Sequence, residues 1–456
     1  MNKLMQIGII YLGMMVLITG CGQQARKEPK IIDSAISKSM SVLEEAIPIE
    51  MSDEGITVSG QQITADATAD IYKANDIVYH KAGQSVIYSE GTETDEHSKK
   101  EAEAHTVVHI TKPGTYSLSG TLSAGQIAVD LGKDAENDPE AVVTLVMNNA
   151  DIKCTVAPAV VFYNVYECAT IDAESATKDV DTTTAGANVI IADDTANHIE
   201  GSYVAKIYEG AFYSKQSMNV FACEKGNGIL NIKAKKQGLD SEAHLTIHGG
   251  IINIISGNDG INTNADGISV VTIYGGTLHI LVDGVTGEGD GIDSNGWLMI
   301  NGGTIITEAC SESQDAGIDS DRGIHINGGT VIATGYMIER MGQSNQNFVV
   351  LRFESEQKGG NTYALKNEKG DVVAEYTPHN SFAGLVVSNE NITEGTYTIW
   401  KDDNQLSGTY GMRGNMGSPK GGDNPVGVHS QSDMSDAESI KEFEMIAGGN
   451  YIREIE

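Results

Sequence analysis

Between Asn227 and Gly335 apolar and polar residues alternate in short runs, and glycine splits each pair of runs. Aligned on the glycines, the apolar positions form columns: Leu245, Val271, Leu298 and Ile324, then Ile247, Ile273, Ile300 and Ile326. Past the glycines comes a third, of Ile252, Leu278, Ile305 and Val331. A period of two predicts strands that send every second side chain inward, and no helical face fits it. Gly228, Gly250, Gly276, Gly303 and Gly329 follow one another at steps of 22, 26, 27 and 26 residues. A step of that size predicts one solenoid coil per repeat.

A second phrase recurs in the same register: GLDS at 238–241, GINT at 260–263, and GIDS at 291–294 and 317–320. If its Leu or Ile points in, its Asp or Asn points out. In a right-handed parallel β-helix, Asp240, Asn262, Asp293 and Asp319 would form an external ladder at the strand spacing of about 4.8 Å. Two carboxylates that close repel by about 3.5 kcal/mol at an effective dielectric of 20. Further acids crowd the rim: Glu242, Asp259, Asp266, Asp283, Glu288, Asp290, Asp315 and Asp321. All-oxygen ligands on glycine-rich loops suit calcium better than zinc or copper. The expected ligands are Asp240, Asp259, Asn262, Asp266, Asp290, Asp293, Asp315, Asp319 and Asp321, although Asp and Asn are also ordinary turn residues. Two loops lengthen beside this column, at 282–290 and 308–316, and solenoid insertions often mark the binding face.

The flanking segments are less regular. The expected organisation is a leader at 1–20, an anchor and stalk at 21–55 and the solenoid at 56–345. A small antiparallel β cap at 346–403 follows, then a flexible loop and terminal strand at 404–456. Lys3, the apolar run 7–18 and the following small residues read as a signal segment too short to span as a mature helix. The charged run 94–105 and the stretch 175–186 read as loops.

Two resemblances follow. LITGC at 17–21 resembles the bacterial lipoprotein processing site, which implies a lipid on Cys21 and an outward-facing chain tethered to the cell membrane by that anchor alone. The phrases HITKPGTYSLSGTLSAGQIAVDL (109–131), VVTLVMNNADI (142–152) and GAFYSKQSMNV (210–220), preceding the glycine-paired coils, resemble secreted bacterial carbohydrate-binding-domain-containing proteins. These are relatives in fold of pectate lyases. The resemblance covers roughly 56–400. It implies a right-handed parallel β-helix, bound calcium and affinity for plant cell-wall polysaccharides such as cellulose and polygalacturonate, without demonstrated cleavage.

The formal net charge of −33 argues against nucleic-acid binding, which needs clustered Lys and Arg. It also opposes direct contact with an acidic glycan unless calcium bridges the two. Cys154, Cys168, Cys223 and Cys310 match no zinc spacing and read as small interior residues. The expected protein is a monomeric, non-catalytic polysaccharide binder, with Tyr274, Trp297 and His248 as its sugar-contacting rings. One alternative is a calcium-dependent lyase using Arg322 or Lys236 as base. GDGIDS resembles a polygalacturonase phrase only weakly, since similar phrases recur in every coil. The other alternative is a protein-binding adhesin.

Overall fold

In a computed structural model the described residues are 45–81, 96–205, 207–284, 289–339, 341–411 and 439–456. Cys21, the leader, most of the stalk, Glu288 and most of the loop expected at 404–438 lie outside them. The architecture is all-β: sheets of 21, 8 and 5 strands, with a single five-residue α-helix among the described residues.

Successive repeats pair in parallel, residue for residue. In the largest sheet Leu245 lies opposite Val271, Val271 opposite Leu298, and Leu298 opposite Ile324. The third column runs from Ile252 through Leu278 and Ile305 to Val331. All these side chains are fully buried and belong to one continuous core. In the eight-stranded sheet Leu239, Ile261 and Ile292 stack likewise, and a parallel bridge joins Ile292 to Ile318. The paired glycines permit this close stacking. Gly276 has φ of +93°, and a Cβ there would meet the Gly250 carbonyl oxygen at 2.7 Å.

Two flanking assignments change. Ile47–Ser52, expected in the stalk, is a strand pairing in parallel with Gly114–Leu122, and it buries Ile49. Lys99–Glu103, expected in a loop, is a helix. Its start is a capping box, in which Ser98 Oγ accepts from the Glu101 N–H while Glu101 accepts from the Ser98 N–H.

At the other end Phe382–Ser388 pairs antiparallel with both Thr330–Gly335 and Phe348–Gln357. The terminal strand Gly449–Ile455 returns parallel to Phe348–Gln357. This end has its own core, where Phe353, Tyr363 and Phe382 meet edge to face. Glu308 clips it to the repeats, since its buried carboxylate accepts from Tyr376 Oη and from the N–H groups of His379 and Asn380. Cys154, Cys168, Cys223 and Cys310 are free thiols, all buried except the half-buried Cys168.

Candidate functional site

The carboxylate ladder is in register, and it is covered. Asp240 lies opposite Asn262, and Asn262 opposite Asp293. Its expected exposure is not found: Asp240 is 0% exposed, Asn262 5% and Asp259 7%, while Asp293 and Asp319 are half-buried. Two features close the space over Asp240. Gly210 has no side chain, so Asp240 Cβ occupies the position its Cβ would take. Asn264 Nδ2 donates to Asp240 Oδ1 at 2.8 Å. Asp240 Oδ2 and Asn262 Oδ1 are buried without a hydrogen-bond partner. Burial first, then the charges of Glu242 and Glu209, raise the Asp240 pKa well above the usual carboxylate range.

The remaining acids separate into two groups. Beside the lengthened loops, Asp290 Oδ1 accepts from the Ala316 N–H, the Asp290 N–H donates to Asp259 Oδ1, and Asp315 accepts from the Gly289 N–H. Burial and neighbouring carboxylates push Asp290 well up and Asp319 to about 7. Asp266 and Asp321 lie apart and exposed, Asp266 accepting from Asn295 Nδ2 at 3.2 Å. Among the described residues no three of His, Cys, Asp and Glu come together as a group that could hold a metal ion by themselves.

Both candidate bases are engaged. Lys236 is 6% exposed and its ammonium pairs with Glu209 at 2.6 Å. The Arg322 guanidinium sits over the Trp297 ring at 4.9 Å. Trp297 is itself 7% exposed and packs with Val270, Met299, Ala176 and Val180, so it offers no face to a sugar.

A groove of about 510 Å³ opens on the adjacent sheet. Its floor is the outward columns of five successive layers: His248; Thr272 and Tyr274; Met299 and Asn301; His325 and Asn327; Gln343 and Asn345. Residues 178–183 line it as a strap. Thr182 pins the strap: its hydroxyl bonds Asn219 Oδ1 at 2.8 Å and Thr246 Oγ1 at 2.7 Å, and its carbonyl accepts from Asn219 Nδ2 at 2.8 Å.

The rings in this column stack along it. His248 lies between Phe221 and Tyr274, with centroids at 4.4 and 5.5 Å, so both of its faces are covered. Its Nε2 has no hydrogen-bond partner, and burial lowers its pKa to about 4. Beyond Tyr274 the column continues as amides, with Asn327 Nδ2 donating to Asn301 Oδ1 at 2.9 Å. Amides, hydroxyls and a ring edge supply both donors and acceptors, as a hydroxyl-rich ligand leaving water requires.

Residues 104–420 match the model of a family described as carbohydrate-binding domain-containing protein. The chain belongs to this family. No curated protein matches it. A solved structure, described as the polysaccharide lyase-like protein from C. thermocellum in a gadolinium derivative, is 22% identical with a TM-score of 0.40, covering 62% of this chain and 89% of that one. The whole groove floor and strap of this carbohydrate-binding family member fall within the matched span. Tyr274 and His248, expected as ligand contacts, both line the groove, whereas Asp240, Asn262 and Asp293, expected as metal ligands, lie on the eight-stranded sheet. Sequence reasoning missed the strap and the roles of Thr272, His325, Gln343 and Asn345. The signal that could have found them is the insertion at 175–186, read only as a loop.

Proposed function

We infer that this chain is a non-catalytic, cell-surface polysaccharide-binding protein whose glycan lies in the strapped groove. The carrying observation is the groove itself, a concave site of a size usual for ligands, floored by in-register hydrogen-bonding side chains within the carbohydrate-binding family match. In this reading the repeats wind as a right-handed parallel β-helix, supported by the residue-for-residue parallel pairing of successive repeats. The polysaccharide is of plant cell-wall type, and the lipid on Cys21 holds the rod at the outer face of the membrane.

Calcium belongs to this reading at the covered ladder. Asp240 and Asn262 each leave a buried oxygen without a donor, and such oxygens suit a hard cation. Asp240, Asn262 and Asp293 would hold the ion, which would supply positive charge between stacked carboxyl groups. The test is retention of the mature chain on insoluble glucan, xylan and pectin, with Tyr274→Ala as control. Retention that the substitution abolishes supports the groove. Release of unsaturated uronates, read by ultraviolet absorbance, would instead indicate a lyase, and failure to bind any glycan would defeat the reading.

A further inference from the structure

We propose that the C-terminal cap carries a second sugar-binding position, a shallow platform on the outer face of its sheet where one pyranose unit of a polysaccharide stacks on Trp400. This rests on the chain being a polysaccharide binder but not on the groove, and it gives the chain two separate grips on a glycan.

Alternation builds the platform. Tyr363–Asn367 pairs antiparallel with Val372–Tyr376 on one side and with Gly395–Lys401 on the other. Tyr363, Leu365, Tyr397 and Ile399 are buried in the cap core, so the residues between them along the strands face outward. One outward row crosses the sheet as Glu375, Ala364, Trp400 and Gln405, each opposite the next. Beside it Lys366 lies opposite Thr398.

The chain has two tryptophans, and they are finished differently. Trp297 is sealed at 7% exposure, whereas Trp400 is half-buried on this outer face. Its orientation is set in advance: the indole N–H donates to Thr398 Oγ1 at 2.8 Å, and the Lys366 ammonium lies 3.9 Å from the ring centre. A ring already held in place costs less to order when a ligand arrives. Two strand spacings, about 9.6 Å, separate the Glu375 and Trp400 backbones, and only the small Ala364 lies between them in the row, leaving width for a pyranose. Lys366 is a flexible, half-buried chain and a cation–π contact near the surface is weak, so a sugar can displace it from the ring while the ammonium turns to the sugar oxygens.

The chemistry of the row selects a sugar. A pyranose has apolar C–H faces and a rim of hydroxyls, and here an aromatic face is framed by a carboxylate, an amide and an ammonium that both accept and donate. A protein partner would call for a broader apolar centre than one ring in a polar frame. The platform falls within the span matched to the carbohydrate-binding family. It lies on the five-stranded sheet, whereas the groove is floored by the largest one, so the two positions are distinct.

The experiment reads the fluorescence of Trp400. Because Trp297 is shielded, the emission that acrylamide quenches in the unmodified full mature chain comes from Trp400. Cellohexaose, xylohexaose and hexagalacturonate are titrated into this chain, into Trp297→Phe and into Tyr274→Ala. At least one hexamer should shift that emission to the blue and protect it from acrylamide in all three, since the response needs neither Trp297 nor the groove. Trp400→Ala should weaken retention on the corresponding insoluble polysaccharide about tenfold, as loss of one of two linked contacts does, with circular dichroism showing the fold retained. Emission unmoved by every hexamer, a response lost in Tyr274→Ala, or retention indifferent to Trp400→Ala overturns the platform while leaving the groove standing. Absence of any response and of any retention by the unmodified chain overturns both.

Discussion

Two outward ladders grow from the same repeats and are finished differently. On the eight-stranded sheet Asp240, Asn262 and Asp293 stand in register, with Asp240 wholly enclosed. On the neighbouring sheet His248, Tyr274, Asn301 and Asn327 stand in equivalent register and line an open groove. Periodicity sets both ladders. What differs is the chain lying against each, because Gly210 and Asn264 close directly on Asp240 whereas the strap is pinned at Thr182 and leaves space beyond it. A repeated polar column is thus a ladder by sequence, but it opens to a ligand the size of a sugar chain only where neighbouring chain leaves room.

The largest effect should come from removing the register on which both ladders depend. Gly276→Val places a side chain at positive φ and against the Gly250 backbone, and should cost roughly 3–5 kcal/mol. Denaturant unfolding reads this loss, and both the groove and the acid ladder should fail together.

Next comes the enclosed ladder alone. In the folded chain the Asp240 pKa is raised, so folding holds a proton that the unfolded chain releases. Its destabilising effect is absent below the ordinary carboxylate pKa and grows as pH rises toward the folded value. Asp240→Asn in chelator at neutral pH should therefore stabilise by on the order of 1–3 kcal/mol, and it should remove any rise in Tm that calcium gives the parent. A destabilised variant with an intact calcium response would show that Asp240 is not a cation ligand.

The groove can then be separated from the acids. Asn327→Ala should weaken a neutral oligosaccharide by about fivefold, about 1 kcal/mol, while Asp293→Ala leaves its Kd within about twofold. Equal losses in the two variants would mean that the ladders act as one site.

The smallest effect is in pH dependence. Burial holds His244 and His248 near 4, below the usual value of 6.5. The unfolded chain takes up protons between those values that the folded chain refuses, so stability is full above about 6.5 and falls as pH drops toward 4. His248→Gln should flatten that slope by on the order of 1 kcal/mol in melting curves recorded from neutral to acid pH.

The residues alone determined the repeat, its register and the identity of each column, because a period of two and a fixed glycine step leave one way to stack Leu245, Val271, Leu298 and Ile324. Beyond the repeats, Gly449–Ile455 pairs parallel with Phe348–Gln357, and Phe382–Ser388 antiparallel with it. The strand Ile47–Ser52 and the helix Lys99–Glu103 were not legible: the strand forms a hairpin with Gly55–Val58, but the partner that docks it on the sheet, Gly114–Leu122, lies more than sixty residues away, and the helix is a single short turn. Only the tertiary structure decided which outward residues meet solvent: it buried Trp297 beneath Arg322 and the base of the strap, sealed Asp240, and opened the floor at Tyr274 and Asn301. Alternation states on which side of a strand a side chain emerges, whereas coverage on that side depends on distant segments brought there by the fold.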